Sequence, residues 1–278
     1  MNLKTLKDTP PWDWPEGVEK VLLGILYDDR ADESDRLLAA ELAGDFTVIN
    51  DELANALLSV LGNSDESEEL RGQAASSLGP VLEEADTDGF DDPDEVPITE
   101  QMFDRIRETL HKLYRDAAVP KEVKRSILEA SVRAPQDWHK DAISAAYSSG
   151  DEPWRLSAVF CMRFVRGFDD RIMEALGSEN EDIHYQAVCA AGNWEVDAAW
   201  AHISGLVTGG KTDKPLLLAA IDAVAGIRPL EAAEILLDLS TSSDEDIADA
   251  ALEAMAMIEM SADDEDDEDD EDDEKLLH

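Results

Sequence analysis

Counting from Glu84, the acids Glu84, Asp86 and Asp88, then Gly89, Asp92 and Glu95, fall at positions 1, 3, 5, 6, 9 and 12 of a twelve-residue stretch. An EF-hand loop sets its calcium-ligating oxygens and its turn glycine at this spacing. Two residues depart from the pattern. Glu84 stands where the shorter Asp fits the tight start, and Asp91 stands where an apolar residue packs on a paired loop. Calcium is therefore the one ion that the sequence points to, set against a plain solvated acidic loop; no other cofactor is expected. A second group is basic: Lys140, Arg155, Arg163, Arg166 and Arg171. Arg155 and Arg166 are eleven residues apart, close to three helical turns, so one helix spanning both would present them on one face. With Trp154, and with His184 and Tyr185 from the next helix pair, Arg155, Arg163 and Arg166 form the candidate partner-binding groove. The alternative is that these cations pair with neighbouring turn acids.

Other chemistry is sparse. His111, His139, His184, His202 and His278 contain no pair at i, i+3 or i+4 spacing, and neither a glycine-rich phosphate loop nor a nucleophile elbow occurs. Cys161 and Cys189 each sit inside an apolar helical pattern, where cysteine acts as a small hydrophobe. No catalytic residue is assigned.

The elements that must position these residues are read from a pattern that occurs twice in Asp151 to Glu195: DEPWRLSAVFCMRFVRG and NEDIHYQAVCAAGNWE. Each copy has an acidic turn, an aromatic beside a basic residue, an Ala-centred apolar run holding a Cys, and a closing Gly. Earlier pairs share the plan. Val18, Val21, Leu22, Ile25 and Leu26 precede SDRLLAAELAG, with Ser34 or Asp35 as the expected N-cap and Gly44 as the stop. Ile49 to Leu61 precede EELRGQAASSLG, and Thr99 caps a helix ahead of PKEVKRSILEASV, with Pro120 at its first position. Gly150, Gly167, Gly192 and Gly226 follow apolar runs as C-caps do. Arg36, Arg71, Lys124, Arg155, His184, Leu216 and Ala248 correspond at intervals of 29 to 35 residues, apart from the step across the acidic insertion. A helix pair of that length cannot bury its apolar face alone, so neighbouring pairs must stack.

The expected fold is all-α, an α-solenoid of about seven helix pairs forming a right-handed superhelix. In these residues the chain resembles HEAT-type repeat proteins, an armadillo-like architecture, and most closely the short repeats of bilin lyase subunits. The resemblance covers Val18 to Met260. It implies that turn acids and helix-opening arginines support each other between repeats, which would give Arg36, Arg71 and Arg155 a structural role. His184 is then expected as a core or groove histidine in the arginine's place. Leu216 and Ala248 depart from the pattern, which implies a more apolar C-terminal end. Di-iron enzymes of this fold hold their metal with repeated His-Glu dipeptides, and no histidine here is followed by Glu. The expected organisation is an extended arm over residues 1–17, a solenoid over 18–262 with an acidic insertion loop at 86–97, and a disordered acidic tail over 263–278. Trp12 and Trp14 of the arm are expected to pack over the first helix.

Charge sets the functional expectation. The chain has 66 acids against 23 bases, and twelve of the acids run without interruption from Asp263 to Glu274. Even up to Met260 acids outnumber bases more than two to one. Such a surface repels phosphate, which argues against direct nucleic-acid binding and in favour of a basic protein partner. The apolar runs are too short to cross a bilayer and the first residues lack the apolar core of a secretory signal, so a cytoplasmic, membrane-free chain is expected. The reading is a non-catalytic scaffold or adaptor that takes a basic protein or peptide on its concave face, with the tail as a tether or decoy for basic surfaces. The alternative is a lyase-type accessory enzyme or chaperone acting on a chromophore-bearing or modified partner. Acidity serving solubility or salt adaptation is a third possibility.

Overall fold

The computed structural model describes residues 3–90 and 96–275, with side chains through Met260. Every regular element among the described residues is helical, and the chain divides into two compact units, Met1–Ala146 and Tyr147–His278. No helix among the described residues is long and apolar enough to cross a membrane.

In the first unit α1 (Leu3–Lys7) precedes the pairs α2 (Val18–Leu26) with α3 (Glu33–Ala43) and α4 (Asp51–Gly62) with α5 (Glu68–Ser76). The short α6 (Gly79–Asp88) leads to α7 (Glu100–Arg115) with α8 (Lys121–Ser131), and α9 (Asp137–Tyr147) ends at the unit boundary. Helices α3, α5 and α8 pack in succession, and so do α2, α4 and α7. This is the double layer of a solenoid. The second unit repeats it. Helix α10 (Glu152–Cys161) packs on α12 (Glu181–Asn193), α12 on α14 (Lys214–Ile227), and α14 on α16 (Glu245–Lys275). Helices α11 (Asp169–Ala175), α13 (Trp200–Thr208) and α15 (Pro229–Leu239) are the first members of those pairs.

Composition explains the close stacking. The second helices carry buried alanines, such as Ala39 and Ala40 in α3, Ala74 and Ala75 in α5, Ala187, Ala190 and Ala191 in α12, and Ala220 and Ala223 in α14. The first helices supply bulk such as Leu22, Leu26, Leu53, Leu57 and Ile106. Polar turns start the helices: the side chains of Asp32, Asn50, Ser67, Thr99, Asp151, Asn180 and Asp213 accept hydrogen bonds from backbone N–H groups of the first turn. Such caps contribute about 1 kcal/mol each. The acidic-turn signature is thus a capping signature. The cap of α3 is Asp32 rather than Ser34 or Asp35, and Pro120 is the residue before the first turn of α8 rather than inside it.

Four local expectations are corrected. The arm is not simply extended, because Leu3 and Leu6 bury one face of α1 and Trp14 donates its indole N–H to the carbonyls of Leu6 and Thr9. Trp12 stays exposed, at 79%. The acidic insertion begins later than residue 86, since Val81, Leu82 and Ala85 give α6 a buried stripe. Gly192 and Gly226 are not stops but lie within α12 and α14: a Cβ on Gly192 would stand 2.6 Å from Ala223 Cα, and one on Gly226 would stand 3.0 Å from the Gly192 carbonyl oxygen. Their lack of a side chain lets the two helices touch. Finally, the backbone of α16 continues as helix to Lys275, where the like charges of the run led to the expectation of an unfolded tail.

Candidate functional site

In the first two pairs the arginine that opens the second helix turns back over the C-terminal end of the first. Arg36 Nη2 donates to the Leu26 carbonyl at 3.1 Å, and Arg71 Nε to the Leu61 carbonyl at 2.9 Å. A guanidinium there satisfies an orphan carbonyl and meets the negative end of the helix dipole. Arg36 also reaches one repeat ahead, holding both Glu66 oxygens at 2.6 and 2.7 Å. The pair is largely buried, and Glu66 is held below the usual carboxylate range, chiefly by hydrogen bonds from Arg36. Lys214 does the same job near the C-terminal end, with its ammonium 2.7 Å from Asp244 and 2.5 Å from Asp246. Arg228 holds Asp197 at 2.7 and 3.0 Å and stacks over Trp200. The cation therefore persists where Leu216 interrupts the sequence register, moved two residues earlier.

The proposed arginine groove separates. Helix α10 ends at Cys161, so Arg163 and Arg166 lie beyond it, and the spacing that would align Arg166 with Arg155 has no helix to act through. Arg155 sits at one end, 3.1 Å from the Tyr147 hydroxyl, over the Tyr147 ring, and 3.3 Å from Glu174. At the other end Arg166 lies over Trp194 at 4.7 Å. Arg163 lies over Phe160 and Phe164 and donates to Gln186 at 3.3 Å. The Arg166–Trp194 contact and the Arg163–Gln186 hydrogen bond fasten the end of α10 to α12, and Trp194 Nε1 adds a bond to the Met162 carbonyl at 2.6 Å. Trp154 is 9% exposed and belongs to the core rather than to a surface. Tyr185 lies against Cys189, whose neighbourhood raises the phenol above its ordinary pKa. Lys140 lies in the first unit and Arg171 over Tyr147 and Phe168 in the second.

The Arg155 end borders an open cavity of about 720 Å³. Asp151, Glu152, Glu174 and Glu179 line it together with Tyr147 and Asn180. Asn180 Nδ2 donates to Glu152 at 2.6 Å. With Arg155 turned onto Tyr147 and Glu174, the walls are predominantly anionic.

Two histidine arrangements emerge that spacing along the chain could not show. His184 and His202 bring their Nε2 atoms to 2.8 Å from each other, although they are 18 residues apart. Burial is the main cause that lowers the His184 pKa, followed by the charge of His202, with Asp213 acting in the opposite sense. In the first unit His139 is fully buried. Its Nδ1 accepts the Gln136 backbone N–H at 2.8 Å and its Nε2 meets Ser131 Oγ at 3.0 Å. Desolvation lowers its pKa to about 4.

The acidic stretch does not assume a loop over its first three positions. Glu84, Asp86 and Asp88 belong to α6, where residues two apart point to different sides. Burial and the nearby Asp88 raise the Glu84 carboxyl, whereas Asp86 is raised by its own burial and feels Arg107. Asp92 and Glu95 lie outside the described residues. No group of three or more metal-ligating side chains converges among the described residues.

Helix pairs stacked in two layers, with cations bridging one pair to the next, make each unit a HEAT-like α-solenoid. No protein-family model matches the chain and no curated protein matches it. Solved structures similar to it include human deoxyhypusine hydroxylase in complex with glycerol, at 15% identity over 93% of this chain and 88% of that one, with a TM-score of 0.40. An engineered protein is 19% identical over 88% and 98% of the two chains, with a TM-score of 0.36. A designed armadillo repeat protein in complex with the peptide (KR)4 is 15% identical over 86% and 100%, with a TM-score of 0.35. At TM-scores of this size the likenesses bear no functional weight, and the fold rests on the helix contacts.

Proposed function

We propose that the protein is a non-catalytic scaffold that binds a basic protein or peptide. The observation that supports this most is where the cations go. Arg36, Arg155, Arg163, Arg166, Lys214 and Arg228 are engaged by carboxylates, carbonyls or aromatic rings of the fold itself. Because acids outnumber bases 66 to 23, carboxylates remain in large excess at the surface. The cavity walled by Asp151, Glu152, Glu174 and Glu179 is where a lysine or arginine side chain of a partner fits this chemistry. Exposed charges of this kind steer association and set specificity more than they add affinity, and salt weakens them.

Capture of partners from native lysate at low and high salt tests this reading. The expected result is a stoichiometric basic protein released by salt. A captured protein that returns coloured or covalently altered would overturn it in favour of the lyase-type accessory enzyme.

A further inference from the structure

His184 projects from α12 and His202 from the first turn of α13, and both helices pack on α14. Packing on the same third helix brings the two rings together. The ring centroids are 5.0 Å apart with planes at 74°, and the two Nε2 atoms stand 2.8 Å from each other. Two lone pairs cannot face each other at that distance, so one Nε2 carries a proton and the other accepts it. His184 is half-buried and His202 exposed, which leaves water access to the midpoint.

Imidazole nitrogens bind zinc at 2.0–2.1 Å, so two of them sharing one ion at right or tetrahedral angles lie about 2.9–3.4 Å apart. The observed separation needs to open by a few tenths of an ångström. Because centroids 5.0 Å apart with Nε2 atoms 2.8 Å apart set the rings nearly head-on, each ring also turns by about 35–45° so that its lone pair meets the ion. We propose that His184 and His202 form a two-imidazole clip for a divalent first-row transition ion of the zinc or copper class, with water completing the coordination. Imidazole suits these ions, whereas magnesium and calcium prefer oxygen. On binding, the ring that carries the Nε2 proton changes tautomer: the proton leaves for solvent, Nδ1 takes one up, and the freed lone pair binds the ion. Asp213 caps α14 by accepting the Leu216 N–H. It adds a negative charge near His184 without serving as a ligand. With no third ligating side chain converging among the described residues, the clip is a reversible site rather than a closed structural one. It is independent of the partner-binding reading.

The test is a zinc chloride titration of the full chain at neutral pH, with millimolar magnesium present to occupy the many carboxylates. It is followed by calorimetry and by the imidazole nitrogen resonances in NMR. The expected result is one equivalent of zinc that moves the Nε2 resonances of two histidines together. His202→Asn, at an exposed position, should fold as the parent does and lose at least about tenfold in affinity, the lower end of what disturbing a metal site's supporting groups costs. His184→Asn should lose as much, while His111→Asn binds unchanged. Zinc binding by a His184→Asn, His202→Asn double variant with the affinity of the parent would overturn the proposal, as would absence of paired histidine shifts at saturating zinc.

Discussion

Arg36 and Glu66, thirty residues apart, join two successive helix pairs through a bidentate ion pair at 2.6 and 2.7 Å, while the same guanidinium closes the end of α2 at Leu26. Removing one member of such a buried pair leaves an uncompensated charge and an orphan carbonyl. Arg36→Ala should therefore destabilise the first unit by about 3 kcal/mol in urea unfolding. Glu66→Gln should cost less, because the amide still accepts one bond. Since Glu66 has a folded pKa below its unfolded one, its contribution is complete above the ordinary carboxylate value, about 4.3, and is lost as pH falls through the folded value. An Arg36→Ala protein with unchanged stability would remove the rung from the account.

Gly192 tests the close approach of α12 and α14. A methyl there would lie 2.6 Å from Ala223 Cα and 2.8 Å from its Cβ. Gly192→Ala should destabilise the second unit by about 1–3 kcal/mol despite alanine's better helix propensity. A stabilised variant would instead mean that the glycine is an ordinary helix position.

His139 gives a pH dependence with a definite sign. Its folded pKa is about 4 against an ordinary 6.5, so between these values the unfolded chain holds more protons. Stability should fall as pH drops from about 6.5 to about 4, by as much as about 3 kcal/mol from this group. His139→Gln should be less stable than the parent at pH 7.5, and the gap should narrow at pH 5, both read by urea unfolding. Parallel profiles for the two proteins would show that His139 does not titrate in this way.

How much was legible in the sequence varies with how local each signal is. Helical pairing was readable because Arg36, Arg71 and Arg155 each follow a capping turn and precede buried alanines, and both cues lie within one helix. The end of α10 was not readable, because Phe160, Phe164 and Val165 continue an apolar pattern past Cys161 while the chain turns so that Arg163 and Arg166 can cover rings. Gly192 and Gly226 follow apolar runs in the way C-caps do, and only the contact of α12 with α14 shows them to be packing residues. Helix α6 was obscured by its acids, since the ligand-like spacing from Glu84 overlaps a short buried stripe. The facing of His184 and His202 depends on two helices meeting the same third helix, which no spacing along the chain encodes.

The anionic cavity bears most directly on function. A fluorescent peptide of alternating lysine and arginine, titrated against the chain and read by anisotropy, measures it. The account predicts saturable binding that a version ending at Ala262 retains, that weakens steeply as salt rises, and that falls about tenfold in a Glu152→Lys, Glu179→Lys double variant. Binding that vanishes with the residues after Ala262, or that is indifferent to the double variant, would contradict it.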